Sequence, residues 1–168
     1  MAAALAVAGL ALTALGTVGA ARAASAHTPT LEVTLIHATA GDAGLAIDPQ
    51  LKELSPATVQ QAPFVRYRAY RLLQRQPFPL VGSQTVKLLL PNGRTLQATL
   101  TGVSVAATDG GPSEKRYQLE AQIVAAADSG ATSFLRSLQV TVSANEPFFV
   151  GGQSYQGGTM FIELNVRP

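Results

Sequence analysis

His27 and His37 are the only side chains in this chain whose unperturbed titration falls near neutral pH. A Ser-His-Asp nucleophile system would have to use one of them, and no G-x-S-x-G turn is present to carry the serine. His37 with Asp42 and Asp48 could offer one nitrogen and two carboxylates to a metal. Their spacing, however, matches no calcium loop of alternating acids. A strand-end histidine, a turn aspartate and a helix cap account for the three residues more simply. Glycoside cleavage needs two acids converging in a cleft. The acids here are scattered, and Glu120 and Glu163 fall at outward, solvated strand positions. The expectation is therefore no catalytic residue, no metal and no cofactor.

Two stretches have chemistry suited to recognition. Arg66, Arg68, Arg71 and Arg75 interleave with Tyr67 and Tyr70. Such a strip could hold an acidic polymer, lipid headgroups or a protein partner; it could equally be a solvated strand face whose charges guard a sheet edge. The second stretch is Gly151 to Gly158, GGQSYQGG. It lacks the lysine of a phosphate loop and no helix follows it, so it reads as a hairpin loop with glycines at positive φ. On such a loop Tyr155 would be the main anchor, with Gln153 and Gln156 beside it, forming an exposed amphipathic contact surface. The candidate binding residues are thus Gln153, Tyr155, Gln156, Arg66 and Arg68.

The elements that must carry these residues are mostly short strands. Thr85 to Val103 reads as two strands joined at Pro91-Asn92-Gly93. A two-residue loop would set Leu88 opposite Gln97 and scramble the faces. A three-residue loop sets Leu88 opposite Leu96, Val86 opposite Ala98 and Lys87 opposite Gln97, so apolar meets apolar. Pro91 suits the first central position of a type I turn, and Gly93 the left-handed bulge position that follows. Thr30 to Ala38 alternates with Leu31, Val33 and Leu35 inward, Glu32 and Thr34 outward, and His37 on the inward parity near the end. Asp48-Pro49 and Ser55-Pro56 each look like a helix start, giving two short helical pieces within Pro49 to Gln61. Phe64 to Leu80 fits a helix or a strand; its tyrosines and the Pro77-Phe78-Pro79 end favour an extended chain near a sheet edge, with Val65, Tyr67 and Ala69 inward. Thr108 to Lys115 is a loop. Arg116 to Val124 alternates with Tyr117, Leu119, Ala121 and Ile123 inward. Asp128 to Thr132 is a turn, Ser133 to Ala144 a strand with Leu138, Val140 and Val142 inward, and Pro147 to Val150 a short apolar piece. Thr159 to Val166 closes the chain with Met160, Ile162, Leu164 and Val166 inward. Seven or eight strands at sandwich-like intervals predict an all-β fold: two packed antiparallel sheets on an immunoglobulin-like plan, with a short helical insertion after the first strand.

Composition sets the wider bounds. With 168 residues, 47% of them hydrophobic and 13% charged, the chain can build one cored domain. Cysteine is absent, which excludes a disulfide frame and cysteine metal sites, and tryptophan is absent, which leaves Tyr and Phe for any aromatic platform. Twelve basic and ten acidic residues leave a net charge of +2, too little for a nucleic-acid-binding field. Met1 to Ala21 carries no charged side chain, and the small-x-small sites Ala21-Arg22-Ala23 and Ala24-Ser25-Ala26 follow. This reads as a secretory leader over 1–26, although no Lys or Arg precedes its apolar run; the alternative is an uncleaved but weak, Ala-rich anchor. The domain is expected at 27–168, exported to the periplasm or the extracellular space, with no stable membrane span after cleavage. The leading functional expectation is a non-catalytic binding or scaffolding protein of the cell envelope, whose partner is another envelope or extracellular protein. A small-ligand or glycan-binding module is the alternative, and a hydrolase the third.

Overall fold

The structure is a computed structural model that describes residues 28–42, 44–107, 113–125 and 135–168. The leader, both cleavage sites, His27, the tip of the 108–115 loop and the 128–132 turn lie outside the described residues. Among the described residues nine strands form two sheets: β1 (Thr30–Thr39), β2 (Ala46–Ile47), β3 (Ala69–Pro79), β4 (Thr85–Leu89), β5 (Thr95–Ala106), β6 (Glu114–Val124), β7 (Leu135–Ser143), β8 (Phe148–Tyr155) and β9 (Gly158–Arg167). The first sheet has the order β2-β3-β1-β9-β8, and the second is the meander β4-β5-β6-β7. All pairings are antiparallel except the short β2–β3 contact. The molecule is an all-β sandwich.

The β4–β5 hairpin has the expected register, with Leu88 opposite Leu96, Val86 opposite Ala98 and Lys87 opposite Gln97. Gly93 takes φ 79°, Leu90 N–H donates to Arg94 O at 2.7 Å, and Gly93 N–H donates to Leu90 O at 2.9 Å. That is the type I turn plus bulge. The inward residues of β1, β4, β5, β6 and β9 meet between the sheets in one core that includes Leu31, Val33, Leu88, Leu96, Leu119, Ile162 and Leu164. Val142 joins it fully, while Leu138 and Val140 pack at its margin.

A second core lies on the outer face of the first sheet, where Ile36, Ala38, Tyr70 and Phe161 are covered by Leu51, Leu54, Val59 and Phe64. It corrects several expectations. Thr34 is fully buried and Glu32 half-buried, because the segment between β2 and β3 roofs this face. Glu163, expected to be solvated, is fully buried. Of the two helical pieces only α1 (Pro56–Val59) forms, capped by the Ser55 hydroxyl, which accepts from Thr58 N–H at 3.1 Å. Asp48 instead accepts from Gln50 N–H at 2.9 Å and Leu72 N–H at 3.3 Å, closing a turn against β3. A single 3-10 turn, Phe64–Arg66, follows α1. Phe64 to Leu80 is extended only from Ala69. Tyr70 is buried and Val65 is exposed, the reverse of the expected faces, because the 3-10 turn resets the phase before β3 begins. No helix among the described residues is long and apolar enough to cross a membrane.

Candidate functional site

The segment from α1 to β3 is fixed by aromatic contacts. Phe64 sits 4.9 Å from the Phe161 ring centroid and 5.0 Å from Phe149. Tyr70 Oη donates to Phe64 O at 2.7 Å, and Tyr67 Oη donates to Thr159 Oγ1 at 2.8 Å across to β9. These ties hold residues 62–67 over the β9–β8 side of the first sheet and leave Val65 and Arg66 exposed.

Facing them is β8. Its register against β9 slips between Val150 and Gln153, so Gly151 and Gly152 form a bulge, with Gly152 at φ 93°. Between this bulge and the 62–67 segment lies a cleft of about 390 Å³, lined by Ala62, Pro63, Val65, Arg66, Tyr67, Gly151, Gly152 and Phe161. A side chain at position 151 would begin 3.2 Å from Phe161 Cε1, so glycine there lets β8 pass close to the ring at the cleft floor. A smaller cavity of about 210 Å³, lined by Asn92, Arg94, Gly152 and Ser154, lies against the same bulge. Gly152 thus borders both.

The expected contact trio does not share a surface. The Gly-rich stretch is strand up to Tyr155, and the turn is only Gln156-Gly157, with φ 43° and 74°. Gln153 is 1% exposed and turned into the sandwich. Its Oε1 accepts from Arg94 Nη1 at 2.6 Å and Asn92 Nδ2 at 3.4 Å, tying the β8 bulge to the β4–β5 turn. Tyr155 is half-buried against the main core. His37 Nε2 donates to the Tyr155 carbonyl at 3.1 Å, and the two rings meet edge to face at 5.3 Å. The histidine is therefore a tie between β1 and the end of β8, and its proton sits on Nε2. Gln156 alone of the trio is exposed.

Of the arginines, Arg66 lines the cleft, and Arg68 is exposed with its backbone joining Thr39 and Ala46. Neither forms an ion pair among the described residues. Arg75 is drawn away from the strip by Glu53 at 3.0 Å and Glu32 at 3.9 Å. Arg71 lies by a separate hollow with Asp48 and Tyr70. The structure therefore joins one arginine of the basic stretch to the glycines of the other stretch.

The buried Glu163 is the most perturbed acid. Its pKa is raised from 4.5 to about 7, chiefly by burial, with the Glu53 charge adding to the rise and Arg75 opposing it; Glu32 raises it and the Thr34 hydroxyl lowers it to lesser degrees. Among the described residues, no group of three His, Cys, Asp or Glu side chains is placed to hold a metal ion. Sequence reasoning missed Phe161 and Glu163. The available signal was a phenylalanine on the parity of β9 opposite Met160, Ile162 and Leu164, since a strand apolar on both parities is covered on both faces. Set against known proteins, the chain matches no family model, no curated protein and no solved structure.

Proposed function

We propose that this chain is an exported, non-catalytic binding or scaffolding protein of the cell envelope, and that it recognises its partner at the cleft between residues 62–67 and the β8 bulge. The cleft is the observation that carries the reading. It is mostly apolar, has aromatic rings in its wall and floor, and bears a single charged group, Arg66, on its lining. Those are groups for contact and orientation rather than for proton transfer near neutral pH. The leader-like composition of Met1 to Ala26 supports export, and His37 is engaged as a tie between strands. The immunoglobulin-like part of the proposal extends only to two packed antiparallel sheets, since the second sheet here is a meander.

A small ligand or glycan is the second reading. It is favoured by the cleft volume, which falls in the usual range for ligand sites. A photo-crosslinking amino acid placed at Val65 and, separately, at Gln139 on the far sheet tests the site in envelope extract. The expected result is a crosslink from position 65 that Gly151→Leu abolishes. Crosslinking from position 139 alone would put recognition elsewhere.

A further inference from the structure

We infer that the cleft receives an extended, acidic segment of another protein, which aligns along β8 as an added strand; the inference rests on the binding-site reading above. Strand β8 ends the first sheet, and among the described residues it pairs only with β9. Edge strands are ordinarily guarded by charges, prolines or shortness. Here β4 carries Lys87, and β2 is two residues long. By contrast β8, FFVGGQSY, has neither a charge nor a proline. Its only interruption is the bulge, and the bulge opens directly onto the cleft.

The chemistry around that edge points to one kind of strand. The cleft has room for an apolar side chain over Phe161, between Val65 and Tyr67. A cation, Arg66, stands exposed on the cleft. Among the described residues no carboxylate lines the cleft. A strand that sets an apolar side chain in the cleft and an acid two residues along on the same face, beside Arg66, satisfies both features, because residues i and i+2 share a face. Main-chain hydrogen bonds would supply affinity and the cleft would supply selectivity, as in other strand additions.

The test uses a dye-labelled synthetic peptide that carries glutamate two residues from phenylalanine or valine, on the same strand face, titrated by fluorescence anisotropy. Saturable binding with Kd below about 1 mM is expected. Replacing its glutamates by lysines should abolish binding, and N-methylating alternate backbone amides should weaken it about tenfold or more. Arg66→Glu, an exposed change that leaves the core intact, should weaken it about tenfold. Gly151→Leu, which fills the cleft, should abolish it, with the thermal melt confirming that the variant is folded. Equal binding of the N-methylated peptide, or no binding of the acidic peptide, overturns the strand-addition inference. If a glycan array then gives a ligand that Gly151→Leu displaces, the site stands and only the peptide class is lost. Binding of any ligand untouched by both Arg66→Glu and Gly151→Leu overturns the site as well.

Discussion

Glu163→Gln is expected to stabilise this protein above neutral pH and to leave it nearly unchanged in acid. Glu163 is fully buried beneath the 46–67 segment, beside Thr34 on the middle strand of the sheet. Neither carboxylate oxygen has a hydrogen-bond donor at good geometry among the described residues. The nearby cation, Arg75, is already committed to Glu53 and to the Thr34 hydroxyl. Ionising Glu163 therefore costs more in the folded chain than in water, and its pKa rises from 4.5 to about 7. Folding consequently favours the protonated form. That contribution is fully present below about 4.5 and is lost as pH rises through about 7. The gap between the two values, at about 1.4 kcal/mol per tenfold change in proton affinity, bounds the loss at roughly 3 kcal/mol. Water penetration and relaxation of Arg75 reduce that to about 1.5–3 kcal/mol. Urea denaturation of wild type and Glu163→Gln at pH 5 and pH 8.5 measures it. The wild type should lose about 1.5–3 kcal/mol more than the variant between the two pH values. Equal pH dependence in the two proteins would mean that the Glu163 charge is relieved in the native state, and the argument from burial would fail.

Three further outcomes follow from the same contacts. Arg94→Ala removes the 2.6 Å donor to the buried Gln153 amide and should cost about 1–3 kcal/mol in urea melts; Gln153→Leu on top of it should recover part of that loss by removing the stranded polar group. Gln156→Asn converts the β8–β9 turn to Asn-Gly with both residues left-handed, and should raise stability by about 0.5–1 kcal/mol; a lower melting temperature would mean that the Gln156 side chain makes a stabilising contact. Leu119→Ala, at a fully packed position, should cost about 2–5 kcal/mol and Leu138→Ala, at the core margin, less; the reverse order in calorimetry would contradict the depth assigned to each.

What the sequence disclosed, and what it withheld, divides by how local the deciding physics is. The β4–β5 register was legible because Pro91, Asn92, Gly93 and the alternation on either side settle it within one hairpin. Likewise the inward parities of β6 and β9 are buried between the sheets, so alternation alone placed Tyr117, Leu119, Met160 and Ile162. The second core was not legible. Its roof consists of Leu51, Leu54, Val59 and Phe64, spaced with no helical or strand period, and the polar Thr34 and Glu163 beneath them look like solvent-facing positions. The candidate site failed to show for a related reason. Glycine is depleted in strands, so Gly151 to Gly158 read as a loop; pairing with β9 overrides that preference, and the bulge absorbs the two glycines that would otherwise weaken the ladder. The property that misled the reading is the one that makes the cleft. A side chain at Gly151 would press on the Phe161 ring beneath it, while the neighbouring Gln153 is pulled inward by Arg94 and ceases to be a surface residue. A recognition surface there is built less from the groups the stretch displays than from those it lacks, and a search for reactive or hydrogen-bonding side chains along the sequence passes over it for that reason.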